Sequence, residues 1–118
     1  MDLSNNSIVD YREIKMVLLE LQDQLNMRFG RSAPRILVYG SVARGQAQAN
    51  SDIDVLLLYP VDIQPGQEIR RIGSILADLN LRYQVLISIL PVSQLTYARA
   101  EGALWENIRR EGKSIHEF

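Results

Sequence analysis

The sequence predicts an α/β domain, a small mixed sheet covered by helices. Three observations lead to that expectation. Segments with apolar residues at helical spacing alternate with short apolar runs of strand length. Pro and Gly punctuate the joins between them. The chain has 118 residues and 47% hydrophobic content, enough for one core without covalent staples. A single domain over residues 1–118 is therefore expected.

The elements follow in order. Ile8, Tyr11, Ile14, Val17, Leu18, Leu21 and Leu25 recur at helical spacing, so a first amphipathic helix is predicted over roughly residues 8–29. Ser7 suits its N-cap and Gly30 its stop. Pro34 blocks further helix, and Ile36 to Tyr39 reads as a short buried strand that ends at Gly40. Ser41 to Ser51 is small and polar, a tight turn or single helical turn followed by loop. Asp52 to Tyr59 is a second strand ending at Pro60. Pro65 and Gly66 mark a turn. Ile69, Ile72, Ile75, Leu76 and Leu79 then give a second amphipathic helix. Tyr83 to Leu90 reads as a third strand, stopped by Pro91. Ser93 can cap a last helix carrying Leu95, Ala98, Leu104, Trp105 and Ile108, with Gly112 as terminator.

Composition removes several classes of function. Without cysteine there is no disulfide framework and no thiolate metal site. One histidine, His116, cannot build a multi-histidine zinc site. A formal net charge of −1 supplies no positive field for nucleic acid or an anionic membrane. No apolar run approaches the roughly 18 residues of a membrane span. The opening MDLSNNS has neither the basic nor the apolar part of a secretory signal. The expectation is a cytoplasmic protein with no direct nucleic-acid partner and no membrane attachment.

The chemistry concentrates between residues 39 and 54. Gly40 sits where a strand turns sharply, and a residue without Cβ lets backbone approach a phosphate closely. N–H groups at a helix start favour an anion there. The Ser41 hydroxyl adds a donor, and Arg44 adds fixed positive charge one turn on. Asp52 and Asp54 are separated by one residue on a strand, and period-2 geometry sends both carboxylates to the same face. Such a pair repels unless neutralised. A hard divalent cation does so, and Mg²⁺ held by one or two carboxylates plus substrate phosphates is the usual arrangement. A phosphate cradle facing a metal-binding pair is what phosphoryl or nucleotidyl transfer requires. A Gly-Ser turn or an Asp-x-Asp alone would mean little; the conjunction carries the reading.

These residues resemble the nucleotidyltransferase superfamily with the DNA polymerase β-like fold. Its signature is Gly-Ser, ten residues, then Asp-x-Asp. Here Gly40-Ser41 is followed by the ten residues Val42 to Ser51, then Asp52-Ile53-Asp54. The string YGSVARGQAQANSDIDVLLL is similar to the minimal nucleotidyltransferases (MNT), short proteins often paired with a HEPN-domain partner. The resemblance covers nearly the whole chain and implies the polymerase β-like nucleotidyltransferase fold. It implies further that the chain is an antitoxin that transfers AMP from ATP to a HEPN RNase toxin and blocks it, in a hetero-oligomer. On that basis Gly40, Ser41 and Arg44 would bind the nucleoside triphosphate. Asp52 and Asp54 would be the catalytic, Mg²⁺-binding pair.

One position departs from the family pattern. Active members carry a third carboxylate on the next core strand. The predicted strand Tyr83 to Leu90 holds no Asp or Glu, and only Gln84 and Ser88 stand near that position. Neither neutralises a metal or takes a proton as a carboxylate does. The alternative expectation is a catalytically degraded module that neutralises its partner by contact alone. Arg70, Arg71, Arg109 and Arg110 read as solvated helix charges, with Arg109 and Arg110 also candidates for a partner interface. Gln46 and Gln48 read as polar loop residues that could reach a substrate.

Overall fold

The computed structural model describes residues 10–48 and 50–118. Helix α1, Tyr11–Phe29, begins at Asp10, whose carboxylate accepts from the N–H groups of Arg12 and Glu13. The Ser7 cap expected from sequence lies outside the described residues. Ile14, Val17, Leu18, Leu21 and Leu25 form its buried stripe, as their spacing requires. Gly30 ends the helix at φ 57°, the left-handed stop that favours glycine.

Strand β1, Arg35–Tyr39, runs antiparallel to β2, Ile53–Tyr59, which in turn pairs in parallel with β3, Ile87–Ser93. The sheet order β1-β2-β3 leaves β2 central. This is the small mixed sheet that the sequence predicts. A four-residue helix α2, Gly40–Ala43, follows β1 directly. Between β2 and β3 runs α3, Pro65–Tyr83. Pro65 and Gly66, read from sequence as a turn, instead open this helix, since Pro suits a first helical position where no N–H partner is needed.

Two further corrections concern the last third of the chain. The third strand starts later than predicted, because α3 continues to Tyr83 and Gln84 forms its left-handed cap at φ 53°. It also ends later: Pro91 lies inside β3 rather than stopping it, which an edge strand tolerates because one side makes no ladder bonds. The expected single last helix is two, α4 (Gln94–Arg99) and α5 (Ala103–Glu111), broken at Gly102 with φ 113°. Ser93 caps α4 by accepting from the Thr96 N–H, as read from sequence.

Alternation along β2 divides the interior. Ile53, Val55, Leu57 and Tyr59 face the larger core with the stripes of α1 and α3. Leu56 and Leu58 face the other side, where Val92, Ile108, Tyr97 and Trp105 complete a smaller core beneath α4 and α5. Asp54 shares the parity of Leu56, so it belongs to the side roofed by α5. The C-terminal segment is held down as well. Lys113 exchanges both backbone hydrogen bonds with Val38, each 2.8 Å, and extends the β1 edge. Glu20 of α1 pairs with Arg82 and accepts from the Tyr83 hydroxyl, tying α1 to α3.

Candidate functional site

The antiparallel register places Tyr39 opposite Asp54. The next residue, Gly40, therefore turns across the Asp54 carboxylate. A Cβ built on Gly40 would overlap Asp54 Oδ2 and lie 3.2 Å from its Cγ. Gly40 also has φ +75°, a conformation that side-chain-bearing residues rarely adopt. Glycine is thus required twice, by backbone conformation and by space.

Helix α2 starts at this point with Gly40 and Ser41 in its first turn. A helix start leaves N–H groups without intrahelical partners, which suits an anion. At four residues α2 is too short to contribute much macrodipole, so the anion preference rests on donors and on Arg44 rather than on a helix dipole. Arg44 follows α2, and its guanidinium donates to the Gln46 side chain and to Glu111 of α5, both at 3.2 Å. The sequence reads Gln46 as a polar loop residue within reach of a substrate and assigns Glu111 no role; in the structure both accept from Arg44. The link to α5 spans 67 positions, so no local pattern could have revealed it.

Asp52 lies just before β2 and is exposed; Asp54 is half-buried. Burial is the main cause raising the Asp54 carboxyl above the ordinary range, and the Asp52 charge adds to it. Arg44 pulls in the opposite direction. Arg44, Asp52 and Asp54 are therefore near enough to feel one another's charge, although Asp52 stands just outside the strand on which the sequence reading places both carboxylates. Burial, with the Asp54 charge second, also raises the Tyr39 phenol.

The metal question turns on donor chemistry. Among the described residues no group of three or more His, Cys, Asp or Glu comes together to hold an ion. Two mutually repelling carboxylates beside an anion-favouring turn do fit Mg²⁺, which takes few protein carboxylates and completes its shell with phosphate oxygens and water. On the neighbouring strand Ser88 is in register with Asp54. Its side chain falls on the same side of the sheet by strand parity, and it is exposed. Gln84, the other residue singled out from sequence, is not on that strand at all but caps α3.

Several charges read as solvated have packing roles. Arg109 donates to the carbonyls of Tyr97 and Ala100, each at 2.6 Å, and lies 5.2 Å from the Tyr97 ring centroid. Arg71 pairs with the buried Glu68 at 3.1 Å and stacks over Phe29. No helix of the described residues is long and apolar enough to cross a membrane.

Comparison with known proteins agrees with this architecture. A Methanocaldococcus jannaschii protein, provisionally named a protein adenylyltransferase, is 30% identical over 76 residues, 64% of this chain and 76% of that protein. The fold is similar to a toxin-antitoxin crystallised with AMP-PNP, at TM-score 0.55 and 18% identity over 91% of this chain and 73% of that one. It is also similar to a mutant of the toxin-antitoxin MntA-HpeT, at TM-score 0.53 and 15% identity over 91% of this chain and 72% of that one. The nucleotidyltransferase domain model matches residues 18–109, from the middle of α1 into α5, and spans Gly40, Ser41, Arg44, Asp52 and Asp54. The chain belongs to the nucleotidyltransferase domain family.

Proposed function

We propose that the chain is an MNT-type antitoxin that transfers AMP from ATP, with Mg²⁺, to a HEPN-domain toxin and so neutralises it. The observation that carries this reading is the close passage of Gly40 across Asp54, beside Asp52 and Arg44. Family membership supports nucleotidyl transfer. The adenylyltransferase name of one relative and the toxin-antitoxin assemblies among the similar structures support the acceptor and the setting.

In this reading Gly40 and Ser41 receive triphosphate oxygens and Arg44 adds a cationic contact. Asp52 and Asp54 hold Mg²⁺. Bound there, the ion neutralises phosphate charge and helps align the groups for in-line displacement. The α5 roof and its Glu111 fix where Arg44 stands. An acceptor hydroxyl on the toxin bonds to the α-phosphorus, the bond to the pyrophosphate oxygen breaks, pyrophosphate leaves and the hydroxyl proton passes to solvent. Incubation of the purified chain and toxin with α-labelled ATP and Mg²⁺ tests this. Label on the toxin, lost with Asp52→Asn, is expected; transfer indifferent to that substitution would sink the proposal.

A second reading is favoured by one observation. Ser88, not an acid, stands beside Asp54 on β3. A site with only two carboxylates suits nucleotide binding without turnover, with neutralisation by contact. Full neutralisation in cells by a chain carrying both Asp52→Ala and Asp54→Ala would select this reading.

A further inference from the structure

The last residue of α5, Glu111, is placed by contacts that do not involve its own side chain. Gly112, which follows it, donates from its N–H to the Ile108 carbonyl at 2.7 Å. A Cβ on Gly112 would come within 2.9 Å of the Leu37 side chain, so the end of the helix lies tight against β1. Lys113 then forms an antiparallel bridge with Val38 of the same strand. Gly40 stands two residues after Val38, and Glu111 two residues before Lys113. The bridge therefore brings Glu111 level with the turn that carries Gly40 and Ser41.

From there Glu111 holds Arg44. Its Oε2 accepts from Arg44 Nη1 at 3.2 Å, while the Gln46 side chain accepts from Nε. Gln46 is itself tied down, because its N–H donates to the Ser41 carbonyl at 2.9 Å. The guanidinium is thus held on two edges, and no hydrogen bond among the described residues uses Nη2. The other Glu111 oxygen lies 3.5 Å from Arg110 Nη2. Two guanidinium groups share one carboxylate, so the cluster keeps a positive balance. The Glu111 side chain is 24% exposed and that of Arg44 42%, which screens the pair less than a fully exposed one. An arginine free to move gives up rotamer entropy when a phosphate fixes it; one already fixed does not.

The geometry points to Glu111 as a positioning residue for the nucleotide: by holding Arg44 it fixes, before binding, the donors that meet the triphosphate, and so raises nucleotide affinity. This rests on the reading that Arg44 contacts the triphosphate. It goes beyond that reading by making the end of α5, 67 positions along the chain, part of what sets affinity.

The test titrates AMP-PNP with saturating Mg²⁺ into the full chain and follows binding heat. Arg44→Ala and Glu111→Ala each weaken binding about tenfold, the scale of one charged hydrogen bond. Glu111→Gln, which keeps an oxygen to accept from Nη1, retains most of the affinity. In a chain that already carries Arg44→Ala, adding Glu111→Ala costs nothing more, because the two residues act as one unit. A role confined to holding α5 in place would weaken binding equally with and without Arg44, and that result would overturn the inference. So would native affinity in Glu111→Ala beside a loss in Arg44→Ala, although the nucleotide reading would stand. If Arg44→Ala binds as the native chain does, Arg44 makes no contact with the triphosphate and the inference falls with it. Transfer of AMP plays no part in the readout. A chain that shows the coupling and transfers nothing supports the inference while the transfer reading fails.

Discussion

Gly40 passes so close to Asp54 that no side chain fits between them. Backbone turn and carboxylate are one unit, built by the antiparallel register that sets Tyr39 against Asp54. Gly40→Ala should therefore fail on two counts. The left-handed backbone costs about 1–2 kcal/mol for any L-residue. The new methyl must also displace the Asp54 carboxylate. A lowered Tm together with loss of nucleotide binding, measured by calorimetry, is the expected outcome.

Asp54→Asn should separate stability from activity. Burial and the Asp52 charge both disfavour the ionised Asp54 carboxylate in the fold. A carboxyl raised in the folded state costs stability at pH values above its ordinary range, where the unfolded chain is ionised freely. Removing that charge should leave Tm at neutral pH unchanged or higher. Label transfer should fall by about a hundredfold or more, the scale of losing a preorganised electrostatic contact. The two readouts, thermal unfolding and transfer rate, are made on one preparation.

Ser88 offers a gain-of-function experiment. It is exposed and in register with Asp54, so an added carboxylate there joins the existing pair without entering the core. Ser88→Asp should raise the rate of AMP transfer in saturating Mg²⁺ and deepen its dependence on metal concentration. A chain that only binds its partner would show no such rise.

The roof over the site has its own dependence. Arg109 joins α5 to the end of α4 through two carbonyls and the Tyr97 ring. Arg109→Ala should cost about 1–2 kcal/mol, from charged hydrogen bonds and an exposed cation–π contact. Urea unfolding monitored by Trp105 fluorescence reports it, since Trp105 meets Tyr97 edge-on at 6.0 Å.

Much of this was legible before the structure, and for a physical reason. Helical spacing in α1 and α3 and the apolar runs of β1 and β2 each state a buried face locally. Gly40, Ser41, Asp52 and Asp54 declare themselves by residue type and spacing within fifteen positions, 40 to 54. The third strand was harder. Gln84 adopts a left-handed cap whose partner is the Asn80 carbonyl, and Pro91 is tolerated only because β3 is an edge. Both depend on tertiary context that a sequence window does not hold. The same holds for the links of Arg44 to Glu111 and of Arg71 to Glu68 and Phe29. A charged side chain on a helix reads as solvated until its distant neighbours are known. The split at Gly102 carried a local signal, a glycine inside the predicted last helix, which the apolar spacing around it outweighed.

In the proposed function Asp52 and Asp54 serve transfer of AMP to a partner protein. The most direct measurement is the intact mass of the HEPN-domain toxin purified from cells that co-express it with this chain. With the native chain the toxin should carry one or more AMP adducts. With Asp52→Asn, expressed to the same level, it should carry none. A toxin that is neutralised yet unmodified by the native chain, or equally modified in the presence of Asp52→Asn, would rule out that role for the pair.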